Sequence, residues 1–139
     1  MTPSQANPGA VEFVHSISAV GAPLCVLSSS PQAFLQAGLA HAGLKGFFDD
    51  SLIISAEDEG WSKRNVRTFD LVCERLGSRP NDTWLFDDSW YALATAHKAG
   101  LHTVGTFSDD RCGSHEELAR YCDLVVDDFL SLSLGDFGL

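Results

Sequence analysis

The chain has 139 residues, enough for one domain with a buried core. Its 19 acids against 9 Lys and Arg give a net charge of −10 with no basic stripe, which argues against a nucleic-acid partner. Apolar residues make up 45%, but their runs are too short to cross a bilayer, and residues 1–10 lack a basic segment followed by a hydrophobic one, so neither membrane nor signal peptide is expected.

Residues 1–8, with Pro3 and Pro8, read as a polar tail. Val11, Val14 and Ile17 fall at helical spacing, and Gly21 supplies a stop. Leu24-Cys25-Val26-Leu27 reads as a short buried strand ending at Ser28. Ser30 is the expected N-cap and Pro31 the expected first residue of a helix with Phe34, Leu35, Leu39 and Ala42 on its apolar face, ending at Gly43. Leu52-Ile53-Ile54 is the next strand, and residues 57–63 read as a loop. Val66, Phe69, Val72, Cys73 and Leu76 mark a helix closed by Gly77. A strand over 83–87, a helix over 89–99 stopped by Gly100, and an apolar segment over 102–106 follow. Ser114 with Glu117 predicts a capping box for a helix through Tyr121, and Leu124-Val125-Val126 is a last short strand. Residues 133–139 read as a C-terminal tail.

Strands alternating with helices predict an α/β fold with a mostly parallel sheet covered by helices on both faces. Ligands of such folds bind beyond the carboxyl ends of the strands, where both Ser28 and Asp87 are expected.

Thr83-Trp84-Leu85-Phe86-Asp87-Asp88-Ser89 is the stretch richest in chemistry. An apolar strand that ends in two carboxylates above a helix start can hold a hard cation such as magnesium, which takes one or two carboxylates plus water and phosphate oxygens. Phe48-Asp49-Asp50-Ser51 spells the same tetrapeptide as Phe86-Asp87-Asp88-Ser89, but it precedes its strand, so only the second copy is expected to face a crevice. Asp109-Asp110 and Asp127-Asp128 show that paired acids alone are weak evidence. The hydroxyl of Ser28, with the backbone N–H groups of Ser29 and Ser30, can hold a phosphate oxygen, or the serines can simply cap the helix. Lys63 can neutralise phosphate charge, with Arg64 as a substitute, or it can be an ordinary solvated loop lysine.

Of the four cysteines, Cys25 and Cys73 read as small core residues, while Cys112, His115 and Cys122 make an incomplete zinc pattern. No Cys-x-x-Cys occurs, and a reducing cytoplasm is the expected setting. The five histidines show no metal spacing.

In order and context these pieces resemble the haloacid dehalogenase-like phosphohydrolases, in particular the branch of phosphoglycolate phosphatases and β-phosphoglucomutases. The resemblance covers roughly residues 8–132. Leu24-Cys25-Val26-Leu27-Ser28 is similar to the second motif of that superfamily, Lys63 with Phe69 to the third, and Phe86-Asp87-Asp88-Ser89 with Ala99-Gly100 to the fourth. The resemblance implies a three-layer Rossmann-like core over 9–132. It also implies catalytic roles for Ser28, Lys63, Asp87 and Asp88, phosphate contacts from Ser28, Ser29 and Lys63, and Mg2+ held by Asp88 with Asp87 beside it. A small phosphorylated metabolite or phosphate is the implied partner.

The first motif of the superfamily, Asp-x-Asp, whose leading Asp attacks phosphorus, occurs nowhere in this chain, and the first aspartate is Asp49. The cap that follows that motif is absent too. The expected activity of the chain alone is therefore little or none. The alternatives are a fragment of an active phosphatase and a non-catalytic phosphate-binding or dimerisation module. Because the strand bearing the first motif is central in the superfamily, its absence predicts direct pairing of the strands that end at Ser28 and Asp87, or a homodimer through the incomplete sheet.

Overall fold

A computed structural model of the chain describes residues 9–106, 115–126, 132 and 134–137. The expected N-terminal tail, Ser114 of the expected capping box and Cys112 lie outside the described residues. The chain divides into two compact units, Met1–Gly60 with Asp128–Leu139, and Trp61–Asp127.

In the first unit, α1 (Ala10–Ala19) carries the Val11, Val14, Ile17 pattern, and Gly21 follows at φ 78°. Phe13 and Ile17 are its buried residues, and the Phe13 ring meets Phe137 edge-on at 5.5 Å, so the turn over 134–137 packs into this unit. The strand β1 (Val26–Ser28) runs parallel to β2 (Ile53–Ser55), with Ser28 opposite Ser55. The helix between them, α2 (Gln32–His41), begins later than expected. Pro31 occupies the N-cap, and Ser30 gives no side-chain cap. The cap comes instead from across the unit, because the Gln32 N–H donates to Asp58 Oδ2 at 2.8 Å. The expected loop over 57–63 begins as a one-turn helix, α3 (Ala56–Glu59). The Ser55 hydroxyl accepts from the Asp58 N–H, and acids fill the first turn, where the helix dipole favours them.

In the second unit, α4 (Val66–Leu76) has the expected bounds. Asn65 caps it by accepting from the Arg67 N–H at 3.0 Å, and Gly77 ends it at φ 74°, a left-handed conformation glycine adopts without penalty. The strands β3 (Trp84–Asp87), β4 (His102–Thr106) and β5 (Leu124–Val126) form a parallel sheet in that order, joined through α5 (Trp90–Lys98) and α6 (His115–Ala119). The helix α6 stops short of Tyr121. As the central strand, β4 buries Thr103, Val104, Gly105 and Thr106. Small residues let α5 approach the sheet, with Ala92 and Ala96 fully buried beside Leu93. Asp123 fixes the entry to β5: its carboxylate accepts from the Thr103 N–H, and its own N–H donates to the Thr103 carbonyl, both at 2.9 Å.

Gly105 marks the tightest packing in this unit. A Cβ there would stand 3.1 Å from Cys122 Sγ and 3.4 Å from Leu118 Cβ. Gly105→Ala is expected to cost about 1–3 kcal/mol through overpacking. Urea unfolding checks this, and a stabilised Gly105→Ala protein would show that the neighbours yield freely.

The α/β class and the parallel pairing agree with expectation. The described strands form a two-stranded ladder β1-β2 in the first unit and a three-stranded ladder β3-β4-β5 in the second. Each ladder joins strands linked by a helical crossover, the connection that parallel pairing requires. Residues 10–19 are helical, so they supply no substitute strand.

Candidate functional site

The second unit gathers the polar groups at the carboxyl end of β3. Asp87 is the last residue of that strand, and its carboxylate works in two directions. Oδ1 accepts from the Ser89 N–H at 2.9 Å, which shapes the turn into α5, and Oδ2 meets Lys63 Nζ at 2.8 Å. The side chains of Lys63 and Asp87 are 12% and 8% exposed, so this ion pair is largely withdrawn from water. The loop that carries Lys63 is tied to the start of α4, where the Thr68 hydroxyl donates to the Ser62 carbonyl at 2.6 Å. Asp88 is half-buried beside Ser89, whose hydroxyl lies 3.5 Å from Asp88 Oδ1. Lys63 and the Asp87–Asp88 couple, chosen from the sequence, therefore share one corner of one unit.

Arg64, the next residue, does not duplicate Lys63. Its guanidinium lies over the Tyr91 ring, 4.2 Å from the centroid, and 6.0 Å from that of Trp90. Sequence reasoning named Arg64 only as a stand-in for Lys63 and missed the aromatic pair. The available signal was Trp90-Tyr91 in the first turn of a helix that follows two carboxylates.

In the first unit, Ser28 ends β1, and its Oγ accepts from the Ser30 N–H at 3.1 Å. Ser29 and Ser30 are exposed, and the Ser30 carbonyl accepts from the Ser55 hydroxyl at 2.6 Å. Of the N–H groups expected to hold a phosphate, that of Ser30 is the one that donates to Ser28 Oγ, while the Gln32 N–H at the start of α2 donates to Asp58. Asp58 is a site-shaping residue that no local pattern announced. A cleft of about 310 Å3 in this unit is lined by Ser18, Pro23, Phe47 and Asp49 among others. Pro23 and Leu24 lead into β1, so the cleft lies at the opposite strand end from Ser28 and has no bearing on its chemistry.

The donor chemistry at the β3 end suits a hard cation. Two adjacent carboxylates are the ligand type magnesium takes together with water and phosphate oxygens. Among the described residues no group of three or more His, Cys, Asp and Glu side chains is placed to hold a metal ion, and Cys112 of the incomplete zinc pattern lies outside them. Burial raises the pKa of the Cys73 thiol and pushes that of Cys122 up to about 11, so these two stay protonated near neutrality. Asp49 and Asp50 of the repeated tetrapeptide are exposed and precede β2, but Phe48 and Asp49 line the cleft of the first unit, against the expectation that only the second copy faces a crevice. Among the described residues no helix is long and apolar enough to cross a membrane.

Comparison with known proteins extends these observations. A family model for haloacid dehalogenase-like hydrolases matches residues 1–100. Validoxylamine A 7'-phosphate phosphatase of Streptomyces hygroscopicus is 27% identical over 97 residues, covering 70% of this chain and 45% of the relative. Phosphoglycolate phosphatase of Pectobacterium atrosepticum is 29% identical over 121 residues, covering 87% of this chain and 50% of the relative. This chain thus spans about half the length of the curated relatives it matches. Among solved structures, a family IA haloacid dehalogenase-like hydrolase from Entamoeba histolytica superposes with a TM-score of 0.82 at 20% identity, over 94% of this chain and 58% of that one. The structure of a predicted phosphoglycolate phosphatase from Haemophilus somnus gives 0.76 at 25% identity, over 88% and 53%. The strand-end acids, the lysine paired with them and the family match agree: the chain belongs to the haloacid dehalogenase-like hydrolases.

Proposed function

We propose that this chain is a phosphate- and magnesium-binding part of a haloacid dehalogenase-like hydrolase core that does not turn over phosphate esters by itself. One observation carries the reading: Lys63 and Asp87 meet at 2.8 Å at the carboxyl end of β3, with Asp88 next in the chain. A lysine held at a strand end beside two acids can present a cation to a phosphoryl group while the acids receive a metal. Asp88 is the direct magnesium ligand in this proposal, and Asp87, already bonded to Lys63 and the Ser89 N–H, supports it. Bound magnesium would neutralise phosphate charge. Lys63 Nζ has two N–H donors beyond the one given to Asp87, and these reach the phosphate. Ser28 and Ser29, at the end of β1 in the other unit, are a separate phosphate-contacting group in this proposal.

No residue of the chain supplies the Asp-x-Asp nucleophile and proton carrier, which is why turnover is not expected from it alone. A second reading follows from the coverage of the relatives: further polypeptide, in the same or another chain, completes the active phosphatase. The proposal is tested by calorimetric titration with inorganic phosphate, with and without magnesium. Phosphate is expected to bind with magnesium present, Asp88→Asn to weaken it at least tenfold, and Lys63→Ala to do the same. An aryl phosphate assay is expected to show no turnover that depends on Asp88. Robust hydrolysis abolished by Asp88→Asn would overturn the assignment of inactivity, and phosphate binding indifferent to both substitutions would overturn the site.

A further inference from the structure

The strand β2 ends in a serine where it is otherwise apolar. Ser55 is 1% exposed and follows the buried Ile53 and Ile54. A buried hydroxyl costs free energy unless its hydrogen-bonding capacity is met. Here both roles of the hydroxyl are used, and both lead out of the core. The Ser55 hydroxyl donates to the Ser30 carbonyl at 2.6 Å, and its oxygen accepts from the Asp58 N–H at 3.2 Å. In the parallel ladder Ser28 is opposite Ser55, so Ser55 stands beside the point where the chain leaves β1.

The chain leaving β1 is tied down repeatedly, all within the first unit. Ser30 is held at both backbone groups: its N–H donates to Ser28 Oγ at 3.1 Å, and its carbonyl accepts from Ser55. Gln32 is held as well. Its N–H donates to Asp58 Oδ2 at 2.8 Å, and its Nε2 donates to the Ile53 carbonyl at 3.2 Å. Yet Ser29 and Ser30 are exposed, where backbone is ordinarily free to move. The order comes from β2 and α3 beneath them. It also sets the direction of Ser28. Its oxygen accepts from the Ser30 N–H and, among the described residues, its hydroxyl donates to no group, so that hydrogen is left for a ligand oxygen.

We infer that Ser55, with Asp58, is a positioning residue for the phosphate contacts of Ser28 and Ser29. The inference rests on those proposed contacts and names what holds them in place. Ser55 is too deeply buried to touch a phosphate, so it acts only through Ser30, whose N–H in turn orients the Ser28 hydroxyl. Asp58 fixes the other end of the same segment at Gln32. A binding group kept in its productive geometry by buried partners loses less freedom when the ligand arrives.

The test titrates the full chain with inorganic phosphate in the presence of magnesium. Ser55→Ala is expected to weaken binding about fivefold, the worth of one lost hydrogen bond, and to speed hydrogen exchange of the Ser30 amide. Ser55→Thr keeps the hydroxyl and is expected to restore most of the affinity. In a Ser28→Ala background, Ser55→Ala is expected to add less than about twofold, since the group it positions is gone. Asp58 supplies a second arm at an exposed position, which decides the matter should Ser55→Ala fail to fold. Asp58→Asn and Asp58→Ala remove the same charge, but only the amide still accepts from the Gln32 N–H. The alanine variant is expected to bind phosphate about threefold more weakly than the asparagine one. If Ser28→Ala weakens binding while Ser55→Ala matches the parent, or while the two Asp58 variants match each other, this inference is overturned and the phosphate contact of Ser28 stands. A Ser55→Ala effect that persists undiminished in the Ser28→Ala background also overturns it. Phosphate binding indifferent to Ser28→Ala overturns the serine contacts themselves, and this inference with them.

Discussion

Lys63→Met is expected to destabilise the protein by about 3 kcal/mol, because it strands a carboxylate that is cut off from water. The ammonium and carboxylate are 2.8 Å apart, with side chains 12% and 8% exposed. At that separation the gross attraction is about 6 kcal/mol for an effective dielectric constant near 20, against about 1.5 kcal/mol in bulk water. Desolvation consumes much of the gain, so the net worth of the intact pair is far smaller than either figure. Removing one partner is different, since the survivor keeps its desolvation cost without compensation. Asp87→Asn is therefore expected to cost a similar amount, although the amide oxygen can still accept from the Ser89 N–H. The double substitution Lys63→Met with Asp87→Asn is expected to fall well short of the sum. All three tryptophans, Trp61, Trp84 and Trp90, belong to the unit that holds the pair, so urea unfolding followed by tryptophan fluorescence reads that unit directly. Single substitutions that each cost less than about 1 kcal/mol would place the pair with ordinary surface salt bridges.

Phe69→Ala is expected to cost about 4 kcal/mol, near the upper end for a single core truncation. Phe69 is 1% exposed and is the largest fully buried side chain among the described residues. It sits in the buried stripe of α4 with Thr68, Val72 and Cys73, a spacing that puts all four on one side of the helix. The same helix begins where the loop bearing Lys63 ends, so its docking positions the lysine. The truncation is expected to lower phosphate affinity as well as stability. Val66→Ala, at an exposed position of α4, serves as the control and is expected to stay within about 0.5 kcal/mol. If Phe69→Ala and Val66→Ala unfolded at the same urea concentration, the packing of α4 would have been misjudged.

The elements legible in the sequence share one property: their determinants are local. The span of α4 was legible because its apolar stripe of period 3.6 runs from Val66 to Leu76 and a closing glycine, Gly77, follows at once. The strand β3 was legible because an apolar run stops abruptly at carboxylates, and β4 because a stop glycine precedes it. What escaped was short or distant. The helix α3 has four residues, three of them acidic, too few to show a period. The cap of α2 comes from Asp58, 26 positions away, so the nearer Ser30 looked like the better candidate.

The sequence by itself determined the α/β class, the order of strands and helices, the paired acids at a strand end, and the resemblance that the family match bears out. Each of these follows from contiguous residues, whose periodicity and chemistry are written along the chain. Only the tertiary structure decided that Lys63 bonds to Asp87 across 24 positions, that Arg64 turns from the acids to lie on Tyr91, and that β1 and β3 each pair within separate ladders. Those outcomes depend on which distant groups are withdrawn from water together, and burial is a property of the folded chain that no single segment encodes.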